Sequence, residues 1–308
     1  MTPDFVGPEA EALLDWTGLT EALIAGHTRP AAELGDTFLY RGEDTLLSRA
    51  AFIDGLGALV KTATVYPGNA ARGLPTIHGG ASLYRDSDGQ LEALIDFHLL
   101  TKWKTAGDSL LSARLLARPD TAEILILGAG AVARSMIDAY RSRWPDARIR
   151  LWNRTAASAE RLAAETGTEA APDLAAAVPT ADILCTATMT TEPVIRGDWL
   201  RPGQHLDLIG AYRPDMREVD DTALTRARLF VDARATTLDH IGELKDPLAR
   251  GVITRDDIVA DFSDIAAGAF ARSSPDEITI AKNGGGAHLD LMTARYILER
   301  WRNRHTPA

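Results

Sequence analysis

Apolar residues in the first third of the chain recur first at helical and then at strand spacing. Over residues 8–27 they fall three and four apart, with a break at Gly18, which predicts a helical segment. Residues 37–40, 45–52 and 56–66 then read as strands. Residues 76–85 and 91–97 flank the acidic-glycine stretch Asp86, Ser87, Asp88, Gly89, and two half-apolar runs around such a turn predict a hairpin. A helix over 99–117 follows and is stopped by Pro119, because proline has no N–H to continue the ladder.

From Glu123 the pattern changes to short apolar strands alternating with helical stretches: EILILG, a helix over 132–143, RIRLWN, a helix over 156–166, ADILCTAT, HLDLIG and RLFVDA. This alternation is the sequence form of βαβ units, in which a parallel sheet is covered on both faces. The tail DEITIAKNGGGAHLDLMTARYILERW supplies a last strand, a glycine break and a terminal helix. No repeat or low-complexity segment interrupts the chain.

Composition narrows the class. With 308 residues, 45% hydrophobic and 25% charged, the chain is an ordinary folding sequence of one large or, better, two domains. No apolar run approaches the roughly 20 residues of a membrane span. The acidic amino-terminal stretch lacks the layout of a signal peptide, so the cytoplasm is the expected compartment. The single cysteine, Cys185, excludes an internal disulfide and a cysteine-based metal cluster, and no metal site is expected. A formal charge of -10 argues against nucleic acid as a partner, since phosphate binding draws on clustered cations. An anionic small molecule is compatible with it, because one local group of cations can oppose the global sign.

Gly128, Ala129, Gly130, Ala131, Val132 and Ala133 fit the pattern G-x-G-x-x-A after a strand and at the opening of a helix. The first glycine permits the tight turn, the second lets backbone approach a pyrophosphate, and the small Ala133 lets helix and strand pack closely. Free N–H groups at the helix start face the phosphates. Where an NAD-specific site usually carries an acid for the ribose 2′-hydroxyl, the second strand ends in Asn153, Arg154 and Thr155. A guanidinium flanked by neutral donors suits a 2′-phosphate, so NADP(H) is favoured, with NAD(H) left open. Thr188 and Gly210, ending the next two strands, complete the expected cofactor contacts.

With this site placed, VKTATVYPGNAARGLPTIHGG, LLTKWKTAGDSLLSARLLARPD, ILILGAGAVA, LIGAYRPDMREVD and DEITIAKNGGGAHLD together resemble the ornithine cyclodeaminase and mu-crystallin family, from about Leu56 onward. The resemblance implies an α/β fold: a Rossmann domain with a doubly wound parallel sheet, here 119–284, inserted in an α+β substrate-binding and dimerisation domain formed by 1–118 plus 285–308. It further implies a homodimer and nicotinamide-dependent chemistry at the Cα of a small anionic amino or imino acid.

The family's carboxylate-binding lysine corresponds to Lys61, which shares a strand face with Leu59 and Ala63, where an ammonium is costly unless it meets an anion. Lys104 stands where the family has an arginine, keeping the charge and losing the bidentate fork. Arg49 is a candidate compensating cation, His78 a candidate proton relay, and Asp290 a pocket residue by resemblance. Where cyclodeaminases carry an aspartate, the turn reads Gly210, Ala211, Tyr212, with Asp215 three residues on. A phenol cannot accept an ammonium as a carboxylate does. Reduction of a 2-imino acid is therefore the expected activity, with iminosuccinate and Δ1-pyrroline-2-carboxylate as candidate substrates. A cyclodeaminase-type lyase and a non-catalytic NADPH-binding protein are the alternatives.

Overall fold

The computed structural model describes residues 2–305, and no helix among them is long and apolar enough to cross a membrane. The chain divides into two compact units. One comprises the residues up to Lys104 together with those from Gly286 onward, and the other is Thr105–Gly285.

The first unit contains β1 (Asp4–Val6), α1 (Trp16–His27), β2 (Glu33–Arg41), β3 (Asp44–Ile53), β4 (Gly57–Val65), β5 (Ile77–Tyr84), β6 (Leu91–Asp96) and the start of α2 (Phe97–Leu116). Its six strands lie in the order β1-β6-β5-β4-β3-β2, antiparallel except for the β1–β6 pair. Asp36, Arg49, Lys61 and Ala81 are opposite one another across four strands. Period two then sets Lys61 on the face of Leu59 and Ala63, whose rows include Ala51 and Leu83, and Leu59 and Leu83 are fully buried. The opposite face carries Phe5, Ala50, Phe52, Val60, Ser82 and Leu94, with Phe5 67% and Phe52 48% exposed.

Two local expectations move. The first helical segment breaks at Asp15, not Gly18: a 3-10 turn covers Pro8–Leu13, and the Asp15 carboxylate caps α1 by accepting the Gly18 N–H at 2.6 Å. Gly18 stays inside the helix because the Tyr296 hydroxyl and the capping carboxylate fill the space a side chain would need. Strand β2 begins four residues earlier than its apolar pattern indicates. It is exposed along its length, so pairing with β3 rather than burial defines it.

The second unit contains β7 (Glu123–Leu127), α3 (Ala131–Arg143), β8 (Arg148–Trp152), α4 (Ala156–Thr166), β9 (Glu169–Ala170), α5 (Leu174–Ala177), β10 (Ile183–Thr186), β11 (His205–Leu208), α6 (Asp221–Arg226), β12 (Arg228–Val231), α7 (Arg234–Thr237), α8 (Gly242–Ala249), β13 (Ile258–Ala260) and β14 (Thr279–Lys282). All eight strands are parallel, in the order β13-β12-β14-β11-β10-β7-β8-β9. The series β9-β8-β7-β10-β11 is the 3-2-1-4-5 arrangement of doubly wound dinucleotide-binding sheets. Its switch point lies between β7 and β10, whose side chains are fully buried from Ile124 to Leu127 and from Ile183 to Thr186. The unit boundary falls inside α2 and not at Pro119, because the second half of that helix turns Ser109 and Ser112 toward Tyr140 and Asn283 of the later unit. The last helix, α9 (Ala287–Arg302), returns to the first unit and packs on β3, β4 and α1.

Candidate active site

A cluster of charge lies on the α9-covered face of the first unit. Arg49 and Lys61 are cross-strand partners, Lys104 comes from α2 and Asp290 from the first turn of α9. The Lys61 ammonium donates to Asp290 Oδ1 at 2.9 Å and lies 5.0 Å from the centre of the Phe97 ring. Burial pushes the Lys61 pKa down and the charges of Lys104 and Arg49 add to this, while Asp290 pulls it back. For Asp290, burial pushes upward, but Lys61, Lys104 and Arg49 outweigh it and hold the carboxyl below its usual range. It is therefore an ionised acceptor, not a proton donor. Arg49 is paired with Asp36 at 2.9 Å. Lys104 is 8% exposed and, among the described residues, forms no hydrogen bond or ion pair. Among the described residues, Lys61 and Arg49 thus each have a carboxylate partner, whereas the buried Lys104 has none.

The glycine loop occupies the switch point of the second unit. Gly128 has φ +126°, and a Cβ there would meet the Ala187 carbonyl oxygen at 2.7 Å. Gly130 caps α3 in extended conformation without a side-chain cap, and a Cβ on it would enter open space. The first glycine is thus demanded by the fold, whereas the second keeps room in front of an uncapped helix start, as a bound pyrophosphate requires. Ala133 is fully buried, while Ala131 and Val132 lie exposed at the mouth. Beyond β8, Asn153 bonds the Thr155 carbonyl at 3.0 Å, and Arg154 is exposed with no ion pair among the described residues. These residues fit a nicotinamide dinucleotide.

Thr188 and Gly210 lie two residues beyond the ends of β10 and β11, and their donors point inward. One buried carboxylate, Glu218, accepts Thr188 N–H at 3.0 Å, Thr188 Oγ1–H at 2.6 Å, Gly210 N–H at 2.8 Å and Ala211 N–H at 3.1 Å. Behind it, Glu243 accepts the N–H groups of Glu218 and Val219 at 2.7 and 3.1 Å. Burial and the adjacent Glu218 charge push the Glu243 carboxyl up to about 7. The fully buried Lys282 ammonium, spanning the Leu208 and Asn283 carbonyls, supplies opposing charge. Sequence reading passed over this trio. Its one signal was charge at apolar positions, as at Glu243 between Ile241 and Leu244.

Several candidates lie elsewhere. His78 pairs with Thr64 on the opposite face of the first sheet from Lys61 and is exposed, so strand alternation removes it from the cluster. Tyr212 is 58% exposed beneath the Arg213 guanidinium, and Asp215 is tied to Arg213 at 2.8 Å. Neither supplies a free carboxylate at that turn. Cys185 is buried beside Ser109, and burial pushes its thiol up, which leaves it protonated and unreactive.

The model of the "Ornithine cyclodeaminase/mu-crystallin family" matches residues 53–305. The Delta(1)-pyrroline-2-carboxylate reductase of Paracoccus denitrificans (strain Pd 1222) is 50% identical over 296 residues, 94% of each chain. The ketimine reductase mu-crystallin of Mus musculus is 32% identical over 78% of this chain and 75% of its own. Among solved structures, the Thermococcus litoralis Delta(1)-pyrroline-2-carboxylate reductase in complex with NADH and L-proline superposes with a TM-score of 0.87 at 25% identity, covering 97% of this chain and 98% of that one.

Proposed function

The chain belongs to the ornithine cyclodeaminase/mu-crystallin family, and from that premise we propose that it reduces Δ1-pyrroline-2-carboxylate to L-proline with NADPH. Reduction of a small 2-imino acid with a nicotinamide cofactor is its activity. The single observation that carries the choice of substrate is the buried, unpartnered Lys104 ammonium. One surplus positive charge matches one carboxylate, whereas iminosuccinate brings a second carboxylate to a cluster whose other two cations are already neutralised.

The bound nicotinamide supplies the hydride, and the protein supplies orientation and charge. Lys104 receives the substrate carboxylate, and Lys61 has N–H donors left after its bond to Asp290. Asp290 keeps Lys61 charged in a site whose burial favours the neutral amine. Apolar Leu59, Ala63 and Phe97 exclude water around these groups, which strengthens each charge interaction. The loop from Gly128 to Val132 would hold the pyrophosphate of a bound cofactor and Asn153, Arg154 and Thr155 its 2′-phosphate, with Thr188 and Gly210 beside the crevice.

The reading predicts stoichiometric oxidation of NADPH with Δ1-pyrroline-2-carboxylate and kcat/KM for iminosuccinate lower by about tenfold or more, as an unmatched charge costs more than ~1.4 kcal/mol. Ornithine should release no ammonia, with or without NAD, because at the Tyr212 turn Asp215 is tied to Arg213 and Glu218 to backbone N–H groups, which leaves neither carboxylate free for an amine. Catalytic formation of proline from ornithine would overturn the reductase reading. Arg154→Asp should raise the NADPH KM by about tenfold or more and improve relative use of NADH, since it deletes a fork and adds a ribose acceptor. An unchanged ratio of the two cofactors in steady-state assays would sink the NADP assignment.

The homodimer of this reading uses the open face of the six-stranded sheet. Rows of small and apolar residues such as Ala50, Val60, Ser82 and Leu94, flanked by exposed Phe5 and Phe52, form a patch that a second copy covers by its own equivalent face. The cytoplasm, with its nicotinamide pool, is the proposed compartment.

A further inference from the structure

We propose that Glu218 is a positioning residue for the reduction, holding the two loops that wall the nicotinamide end of the crevice; the proposal rests on the reductase reading above. Ligands of doubly wound sheets bind outside the carboxyl ends of the strands, next to the switch point. Two of those ends, β10 and β11, run into loops beginning at Ala187 and Ile209. Such loops ordinarily offer their N–H groups to solvent or ligand. Here three backbone N–H groups and the Thr188 hydroxyl converge on one carboxylate with no exposed surface. Four charge-assisted hydrogen bonds on one acceptor are shorter and stronger than neutral ones and fix both loops to a single point.

Packing enforces the same arrangement. A Cβ at Gly210 would lie 2.1 Å from the Thr188 carbonyl oxygen and 2.4 Å from Glu218 Oε1, so the loops touch backbone to backbone. Glu218 is held in turn from behind, where Glu243 grips its own N–H and that of Val219. The chain of contacts runs from the body of the unit, through Glu243 and the backbone of Glu218, to its carboxylate and then to the loops. The Gly210 turn thus directs its N–H donors inward, to Glu218, and away from solvent. Glu218 touches no reacting atom. Its work is to set the distance between these walls.

The test compares wild type with Glu218→Gln, which retains volume but turns one acceptor into a donor facing N–H groups, and with Thr188→Val, which removes one of the four bonds. Three quantities are measured: amide hydrogen exchange over 187–190 and 209–212, NADPH affinity by fluorescence titration without substrate, and kcat and KM for Δ1-pyrroline-2-carboxylate. Glu218→Gln is expected to speed exchange in both loops by about tenfold or more and to lower kcat by a similar factor, as a lost charged acceptor does. NADPH affinity, set by the glycine loop and Arg154, should stay within about threefold. Thr188→Val should shift exchange and kcat in the same direction by less. A kcat within about twofold of wild type in Glu218→Gln, or a fall in kcat matched by equal loss of NADPH affinity and of melting temperature, would overturn the proposal. If Glu218→Gln does not fold, an unchanged kcat in Thr188→Val overturns it instead. Wild-type protein inert toward the imine refutes the reductase reading, and the exchange and affinity measurements still decide whether Glu218 sets the loops.

Discussion

Lys61→Met is expected to lower kcat/KM for the imino acid by a factor on the order of 100 or more, about 2.7 kcal/mol of transition-state stabilisation, while the protein stays folded. Methionine keeps the unbranched stem against Leu59 and Ala63 and deletes only the ammonium. The loss has two parts. The substrate carboxylate forfeits a donor in a site where water cannot replace it. Asp290, ionised and fully buried, also forfeits its 2.9 Å partner and turns toward Lys104, neutralising the one cation that was free for substrate. The second effect makes the drop larger than deletion of one contact. Steady-state kinetics with a melting curve check it, and near-wild-type kcat/KM would reject the ligand role of Lys61.

Gly128→Ala is expected to weaken NADPH affinity by a factor on the order of 100, with a clear fall in melting temperature. At φ +126° an alanine is strained, and its Cβ would press on the Ala187 backbone at 2.7 Å, so the loop must open at the switch point. Gly130→Ala is the informative contrast. Its Cβ meets nothing, so stability should hold, while the methyl occupies the space reserved for the pyrophosphate and affinity falls. Titration of the cofactor together with thermal melts separates the two. Equal stability losses in both variants would show that the loop serves packing alone.

What sequence reveals here depends on how far each requirement reaches along the chain. The glycine loop was legible because its demands are met within a strand, a turn and one helix start. Lys61 was legible because an ammonium in an alternating apolar strand is anomalous wherever that strand goes. His78 was misjudged for a related reason. Its face depends on the register between β4 and β5, and the 3-10 turn over Pro67–Arg72 hides that register from any count along the chain. Glu218 was invisible, and Glu243 gave only the signal of a charge between apolar neighbours, because a carboxylate shows its burial only when backbone donors from other segments converge on it. The unit boundary moved into α2 for the same cause, since Ser109 and Ser112 look like surface residues until Tyr140 and Asn283 meet them.

Lys61 and Asp290 stand 229 positions apart, with the whole second unit encoded between them. A ribosome therefore makes the six-stranded sheet early and must finish the nucleotide-binding unit before the helix that covers β3 and β4 exists. During that interval the cations of the sheet lack their aspartate and its apolar face lacks its cover. On the proposed reading, substrate recognition is thus the last property the nascent chain acquires, because Asp290 reaches Lys61 only once α9 has been made.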